Sequence, residues 1–380
     1  MFVIEEVKSK KQMRQFVDFA NDLYKNVPQY VPPIYSDEVG LLNIKTNPSL
    51  HTCQARFWMC KDDQGKVVGR IGAILQPVYN ERVGGKFLRF TRFDVIDDIE
   101  ITKLLFNEVY KYAREAGMVS LHGPLGFNDF EREGLVVDGF QYRVTSSNEY
   151  NFPYYKTHLE KLGFVKEADW LEYRLLAPDA RDERYSKLAA YAGQRYNLHE
   201  ATVGLSTNQI VTRYADKIFD LLNECYGELH GYVYITKEVQ KQLATSFRFA
   251  IKNDFISLIC DEKDNLVALG VALSSTSKQL KACNGHVFPF GALPMFMALQ
   301  RPKELELAFI AVKEKYRGKG VHVMVMDKIM NSALKWGIKY AESNCILEYN
   351  DNMRNIWEKW DHVNHRRRRC YVLNDLPPEE

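Results

Sequence analysis

A loop of alternating basic residues and glycines has the clearest chemical potential in the chain. It reads Lys-Glu-Lys-Tyr-Arg-Gly-Lys-Gly over residues 313–320. Gly318 and Gly320 allow a tight backbone turn and let a ligand approach without a Cβ in the way. The positive charges come from Lys315, Arg317 and Lys319. Such a loop suits a phosphate or pyrophosphate group, provided that backbone N–H groups point out of it.

The residues on either side of this loop predict the elements that would position it. An alternating apolar run over 305–312 predicts a half-buried strand before the loop. Apolar residues then recur at the four-residue spacing of a helix face: Val321, Val325, Ile329 and Ala333. A helix that begins here would direct its free N–H groups and the positive end of its dipole at an anion. Without that context, Gly-Lys-Gly is an ordinary surface turn, which is the alternative interpretation.

Two other phosphate-binding loops are excluded by their patterns. The Walker motif, Gly-x-x-x-x-Gly-Lys-Ser/Thr, does not occur, and the dinucleotide fingerprint needs a third glycine where Val323 stands. The loop instead resembles the acyl-CoA pyrophosphate loop of the GNAT superfamily of N-acyltransferases, which reads Arg/Gln-x-x-Gly-x-Gly/Ala. Here it is Lys315-x-x-Gly318-x-Gly320, with His322 where a small residue is usual. The resemblance implies acetyl-CoA or another acyl-CoA as the donor.

The resemblance also implies which protein groups the reaction needs. A base takes a proton from the amine, a donor stabilises the oxyanion, and an acid can protonate the leaving thiolate. Glu306 is the candidate base, because even spacing along the predicted strand would put it on the same face as Val312. By resemblance, the Val312 N–H would be the oxyanion donor. Trp357 stands where the superfamily often has an acidic Tyr, so Tyr349 or Tyr371 could substitute, and Tyr349 is assigned to the site.

The order of predicted elements occurs twice along the chain. It is strand, helix, hairpin, strand, helix, strand, helix, strand, which is the order of a GNAT domain. Pro178 breaks the strand before the second copy. We therefore predict an α/β (α+β) fold of two GNAT-like domains, 1–176 and 177–380, each a mixed central sheet flanked by helices. In the first domain, four acidic residues within 94–100 replace the glycine loop and would repel a pyrophosphate, which indicates a degenerate copy.

Two segments fit none of these elements. Residues 123–140 form a Gly- and Asp-containing loop with three phenylalanines, predicted either to line a cleft through residues such as Phe127 and Asp138 or to pack on the surface. Residues 278–302 are largely apolar, and we expect them to pack across the first domain. The alternative is an apolar wall for an acyl or substrate chain.

Composition narrows the class of protein. Hydrophobic residues at 46% and charged residues at 26% are typical of a soluble globular protein, and 380 residues suffice for two domains. Seven scattered cysteines without a Cys-x-x-Cys pair indicate a reducing compartment and no structural zinc. The sequence has no signal peptide and no transmembrane span, so a cytoplasmic location without a membrane partner is expected. A net charge of +2 gives no general argument for nucleic acid, despite the basic run 365–369.

Together these patterns predict an N-acyltransferase that moves an acyl group, acetyl in the first instance, from acyl-CoA to an amine of a small molecule or peptide. The first half resembles a group of bacterial tandem-GNAT proteins, which brings no substrate with it. Two alternatives stay open: a non-catalytic module that binds CoA or a metabolite, and a peptidyltransferase that uses aminoacyl-tRNA, as in the Fem-type tandem GNAT folds. A homodimer is also compatible with the sequence. The predicted acyl-CoA contacts are Val312, Lys315, Arg317, Gly318, Lys319, Gly320, Val321 and Trp357.

Overall fold

The computed structural model describes residues 1–378. Contacts divide the chain into two compact units, each assembled from separate stretches. The first contains Met1–Leu171, Ser277–Ala292 and the stretch from His365 onward; the second contains Glu172–Thr276 and Leu293–Asn364. The predicted boundary after residue 176 would place the two later stretches of the first unit in the second domain.

Strands and helices are numbered in chain order. The strands are β1 (Val3–Glu6), β2 (Gln54–Lys61), β3 (Val67–Leu75), β4 (Phe87–Val95), β5 (Ser120–Gly123), β6 (Leu135–Asp138), β7 (Val165–Leu176), β8 (His199–Glu200), β9 (Ile256–Cys260), β10 (Leu266–Ser274), β11 (Leu305–Val312), β12 (Tyr340–Ser343), β13 (Ile346–Leu347) and β14 (His362–Leu373). The α-helices are α1 (Lys10–Leu23), α2 (Tyr35–Leu41), α3 (Pro77–Val83), α4 (Ile99–Glu115), α5 (Tyr154–Lys161), α6 (Glu183–Tyr196), α7 (Thr207–Tyr226), α8 (Lys237–Ala250), α9 (Ser277–Ala282), α10 (Ala292–Gln300), α11 (Val321–Lys335) and α12 (Asp351–Trp357). No helix among residues 1–378 is both long enough and apolar enough to cross a membrane.

The sheet of the first unit runs in the order β1–β2–β3–β4–β5–β14. Its first four strands are antiparallel, and β4 pairs with β5 in parallel, with Phe87 opposite Ser120. The end of β14 closes it in antiparallel pairing, with Tyr371 opposite Gly123. Helix α4 covers this sheet because its apolar face carries Leu105 and other buried residues into the core.

The second unit repeats this arrangement with different residues. Strands β8, β9, β10 and β11 are antiparallel, β11 pairs with β12 in parallel, and Leu175 at the end of β7 lies opposite Ala341 of β12. The predicted apolar face of the helix after β11 is confirmed, because its four-residue series is buried against β9 to β11: Val321, Val325, Ile329 and Ala333. Each unit thus has a mixed sheet flanked by helices, and the predicted fold class is confirmed.

The basic run 365–369 is part of β14 and does not form a loop. Arg367 and Arg369 both form ion pairs with buried Asp169, at 2.9 and 2.7 Å. Arg366 and Arg368 are buried, and each donates to backbone carbonyl groups of the first unit. Because the guanidinium groups are used internally, this run does not present the solvent-facing charge that phosphate recognition requires.

The two segments without a predicted element are ordered. In the 123–140 loop, Phe127 is fully buried in a core cluster and a short strand, β6, pairs with β14, so Phe127 is a core residue and not part of a cleft. In the 278–302 segment, the first part packs on the first unit as expected: Lys281 Nζ donates to the carbonyl of Tyr30, and Tyr35 N–H donates to the carbonyl of Gly285. The rest of that segment forms α10.

Candidate active site

The glycine loop after β11 has the predicted strand–loop–helix geometry. Gly318 and Gly320 have φ angles of +72° and +77°, in the left-handed region that favours glycine. A Cβ at Gly318 would meet nothing within 4 Å, and one at Gly320 would meet only Ala192 Cβ, at 3.9 Å. Gly320 is the N-cap residue of α11, and no side chain in residues 1–378 caps this end by a hydrogen bond. The Val323 N–H donates to the Gly320 carbonyl at 2.9 Å, which leaves the N–H groups of Val321 and His322 as the uncapped donors of this 15-residue helix.

The charge around this helix end is positive. The basic side chains of the loop are exposed: Lys315, Arg317 and Lys319. Arg317 Nε also donates to the Val312 carbonyl at 3.1 Å, which ties the loop to the end of β11. Half-buried His322 adds no charge at neutral pH, because burial lowers its pKa and nearby Lys359 lowers it further. An anion at the start of α11 would meet the helix dipole and the positive charges of these three side chains.

Strand β11 has an unpaired edge beside this loop. Its pairing with β12 covers only Leu305 to Leu307. Farther along, the Ile310 N–H donates to Tyr226 Oη at 3.2 Å, and that hydroxyl donates to the Ile310 carbonyl at 2.9 Å. The N–H and C=O groups of a strand residue lie on the same edge. The Val312 carbonyl accepts from Arg317, and the Val312 N–H therefore lies on this edge together with the Ile310 N–H. Its role as the oxyanion donor stays a prediction.

A β-bulge in β11 overturns the argument that placed Glu306 and Val312 on one face. Val271 and Ala272 of β10 are consecutive, but they lie opposite Phe309 and Leu307, so Ala308 is an extra residue. A bulge of this kind reverses the alternation of side chains beyond it. The core next to α11 accordingly receives side chains at odd positions before the bulge and even positions after it: Leu305, Leu307, Ile310 and Val312. Glu306 projects from the other face, as Phe309 does.

Glu306 is nevertheless a strong candidate for a polar role. It is 5% exposed, and its Oε1 accepts a hydrogen bond from Ser275 Oγ at 2.6 Å. Its neighbour in the parallel register is Glu342, which accepts two bonds from Arg174, at 2.8 and 2.5 Å. Arg174 thus pairs with Glu342, whereas Glu306 bonds to a serine hydroxyl, and the role of Glu306 as the base stays a prediction.

The two aromatic residues assigned near the site have opposite environments. Tyr349 is exposed in the turn between β13 and α12, and its role as the acid stays a prediction. Trp357 is only 2% exposed, and its indole N–H has no hydrogen-bond partner within the described chain. A buried donor without an acceptor is uncommon and costs free energy, so it marks a place where a ligand oxygen could bind. Tyr371, the other predicted acid, lies in the core of the first unit.

An apolar cavity lies on the Glu306 face of β11. The empty space between its walls is about 520 Å³ when the part open to solvent is counted, and its walls expose no polar surface. Helices α7 and α8 form its sides, and Phe309 of β11 lies at its base. The remaining lining residues are apolar except for Thr207: Ile210, Val211, Ala215, Ile218, Phe219, Leu222, Ala244, Phe247, Ile251, Ile256 and Val271. A lining of this kind suits an apolar group.

Sequence reasoning missed Tyr226, Ser275 and this cavity. Tyr226 is the last residue of α7, and nothing in its neighbours indicates that its hydroxyl reaches a strand more than eighty residues later. Ser275 is likewise brought to Glu306 only by the register of β10 and β11. The sequence contains one weak indication of the cavity. Ala215 and Ala244 lie on apolar helix faces, where larger side chains would have filled the space.

The corresponding junction in the first unit is closed. The Val95 N–H at the end of β4 donates to Tyr155 Oη at 2.9 Å, and the Val95 carbonyl accepts from Tyr154 at 2.7 Å. The start of α4 is capped by Asp98, whose carboxylate accepts from the Glu100 N–H at 2.9 Å. The N–H groups and dipole that would attract a phosphate are therefore already matched by carboxylate charge, as the acidic run predicts.

Comparison with known proteins agrees with this geometry. Residues 215–361 match the sequence model of the acetyltransferase (GNAT) family. Protein YghO of Escherichia coli strain K12 is 23% identical over 370 residues, covering 96% of this chain and 93% of that protein. The bacterial ceramide synthase of Caulobacter vibrioides is 22% identical over 378 residues, covering 96% and 95%.

Among solved structures, a tandem GNAT protein from the clavulanic acid biosynthesis pathway superposes with a TM-score of 0.57 at 14% identity, covering 100% of this chain and 99% of that one. Identity at this level shows the fold alone. The repeated sheet order, the glycine loop and the family match converge on one conclusion. The chain has the fold of tandem GNAT proteins, and residues 215–361 match the acetyltransferase (GNAT) family.

Proposed function

We propose that this protein is an N-acyltransferase that moves an acyl group from acyl-CoA to the amine of an acceptor with a long apolar chain. The observation that carries the proposal is the uncapped start of α11 behind Gly318 and Gly320, next to the unpaired edge of β11. The start of α11 would bind an anion, and the neighbouring edge of β11 offers backbone hydrogen bonds. A pyrophosphate with an attached amide-containing arm requires both.

The donor would bind along these two features. Its pyrophosphate would accept hydrogen bonds from the first-turn N–H groups of α11, with Arg317 and Lys319 as counter-charges. The arm that carries the thioester would lie along the β11 edge and replace the Tyr226 hydroxyl at Ile310. The buried indole N–H of Trp357 offers a further donor for one of its amide oxygens.

The chemistry needs no covalent enzyme intermediate. The amine nitrogen attacks the thioester carbon, the new C–N bond forms, and the C–S bond breaks to release CoA as a thiolate. Glu306 takes the proton from the attacking amine, and the backbone N–H group of Val312 stabilises the oxyanion. The thiolate is protonated by Tyr349 or by solvent.

The apolar cavity supports the choice of a long-chain substrate. Phe309 at its base lies three residues from Glu306 on the same face of β11, so a chain in the cavity would have its polar end near the candidate base. The relative named bacterial ceramide synthase points the same way, because a ceramide is an amide between a fatty acid and a long-chain amino alcohol.

The test is release of free thiol from acyl-CoA donors of two to sixteen carbons, with small amines, amino acids and long-chain amino alcohols as acceptors. We expect turnover with a long-chain amine, and mass spectrometry should detect the amide. Glu306→Gln should lower kcat by about 100-fold, the contribution typical of a general base, while CoA affinity is kept. Glu314→Gln, which alters an exposed carboxylate in the loop, is the matched control.

Each alternative has its own outcome. CoA binding without thiol release for any acceptor would contradict the catalytic proposal and favour a binding module. Absence of CoA binding, together with tRNA binding that weakens steeply with salt, would favour the peptidyltransferase alternative. Equal kcat values for Glu306→Gln and Glu314→Gln would remove Glu306 from the mechanism.

A further inference from the structure

A short apolar segment, residues 287–300, is exposed to solvent. Five large side chains in it have exposed fractions between 52% and 90%: Phe288, Phe290, Leu293, Phe296 and Met297. In α10, Leu293, Phe296 and Met297 occupy positions i, i+3 and i+4 and therefore share one face. An exposed apolar stretch of this kind is rare and marks a place where something else binds.

The segment is held in place at both ends, so the exposure is part of the fold. Before it, the Gly285 N–H donates to the Leu280 carbonyl and the Gly285 carbonyl accepts from Tyr35, each at 2.9 Å. At its other end, Lys252 Nζ donates to the Gln300 carbonyl at 3.3 Å, and Ser274 Oγ donates to the Leu299 carbonyl at 3.5 Å. The side of α10 that carries Leu299 is half-buried. The aromatic side chains are thus presented outward from an anchored backbone.

The charged residues that flank the segment along the sequence are all basic. No Asp or Glu occurs between Asp264 and Glu304, and the segment itself carries no charged residue. The charges within that interval are all basic: Lys278, Lys281, Arg301 and Lys303. Three of them are exposed, while Lys281 is half-buried and bonds to backbone carbonyls. An apolar centre with basic flanks complements the surface of an anionic bilayer.

We propose that residues 287–300 dock this protein on an anionic lipid bilayer, with the phenylalanines inserted at the boundary between headgroups and acyl chains. The nine-residue α10 is too short to span the hydrocarbon core, so the contact is interfacial. A second copy of the chain is a poorer occupant, because a two-fold interface would place the basic flanks of one copy against those of the other. The inference does not depend on the acyl-transfer proposal.

The test is co-sedimentation of the full-length protein with vesicles of phosphatidylglycerol and phosphatidylethanolamine, compared with vesicles of phosphatidylcholine alone. We expect binding to the anionic vesicles and weak binding to the neutral ones. The double variant Phe290→Ser/Phe296→Ser should bind at least about 100-fold more weakly, at about tenfold or more for each inserted ring. Phe249→Ser is the matched control, because Phe249 is 75% exposed on α8 outside the segment.

A second variant separates charge from insertion. Arg301→Ala/Lys303→Ala should weaken binding to anionic vesicles and leave the weak binding to neutral vesicles unchanged. All substituted side chains are exposed, so folding is checked by an unchanged circular dichroism spectrum. Absence of binding by the wild type, or an equal loss in Phe249→Ser, would overturn the proposal. So would self-association in sedimentation velocity that the double phenylalanine variant abolishes without any vesicle binding, which would assign the surface to a second copy.

Discussion

The substitution Gly320→Glu gives the sharpest test of the anion site at α11. It adds a carboxylate at the N-cap, beside the uncapped N–H groups of Val321 and His322. At roughly 5 Å from a phosphate charge and an effective dielectric constant of about 20, the repulsion is about 3 kcal/mol, which is roughly 150-fold in the dissociation constant. Calorimetric titration of CoA into wild type and variant measures this change directly.

A positive φ angle complicates the change, because any side chain at Gly320 adds roughly 1–2 kcal/mol of backbone strain. Gly337→Glu is the matched control. Gly337 follows the other end of the same helix, has a φ of +66°, and a Cβ added there would meet nothing within 4 Å. The two ends are separated by about 24 Å for a helix of this length. Equal CoA affinities in the two variants would refute the placement of the pyrophosphate, as would a wild type that does not bind CoA.

Two further predictions concern the cavity and a buried carboxyl group. Ala215→Trp should fill the cavity and lower kcat/KM for long-chain substrates by about 100-fold, the loss expected if about four methylene groups are no longer buried. Short-chain substrates serve as the internal control. An unchanged dependence of kcat/KM on chain length would exclude this cavity as the site of the chain. Burial raises the pKa of Glu149 to about 6, and the charge of Asp94 adds to this. The pKa of this carboxyl group is higher in the folded than in the unfolded state. Its contribution to the free energy of unfolding is therefore present at low pH and is lost as pH rises through about 6. Glu149→Gln should therefore stabilise the protein by about 2 kcal/mol at pH 7.5 and by less than about 0.5 kcal/mol at pH 4.5, measured by denaturant unfolding, and a pH-independent difference would contradict the assignment.

The local sequence pattern is sufficient to predict the bounds of a strand or helix where clear turn residues flank it. The strand 305–312 is predictable to the residue, because it is an apolar run that ends at the glycine loop. The glycine loop itself is predictable for the same reason, since its φ angles require glycine and its neighbours are strongly periodic.

Features that depend on distant partners are not predictable in this way. The bulge at Ala308 changes which face Glu306 occupies, and it is a property of the pairing with β10 that leaves no trace in the residues of β11. Four consecutive arginines suggest an exposed basic stretch because their partners, Asp169 and several carbonyl groups, are far away in sequence. Buried charge is acceptable only where such partners exist, and one sequence does not show them.

The exposed phenylalanines illustrate a different limit. An apolar, charge-free stretch predicts burial, and the first part of the 278–302 segment is indeed packed against the first unit. The same composition also suits a surface that is buried only when a partner or a lipid is present. Sequence periodicity does not separate these cases, whereas the exposed fractions of Phe288 and Phe290 do.

The closure of the first sheet by β14 has a consequence for biosynthesis. The edge of β5 pairs with residues 371–373, which the ribosome adds about 250 residues after Gly123. At roughly 5–20 residues per second, that edge stays open for roughly 10–50 s while the second half of the chain is made. An open strand edge can pair with another nascent chain. We therefore expect the yield of folded protein to depend on chaperones that cover this edge during translation. The stability of the finished fold is not the only determinant of that yield.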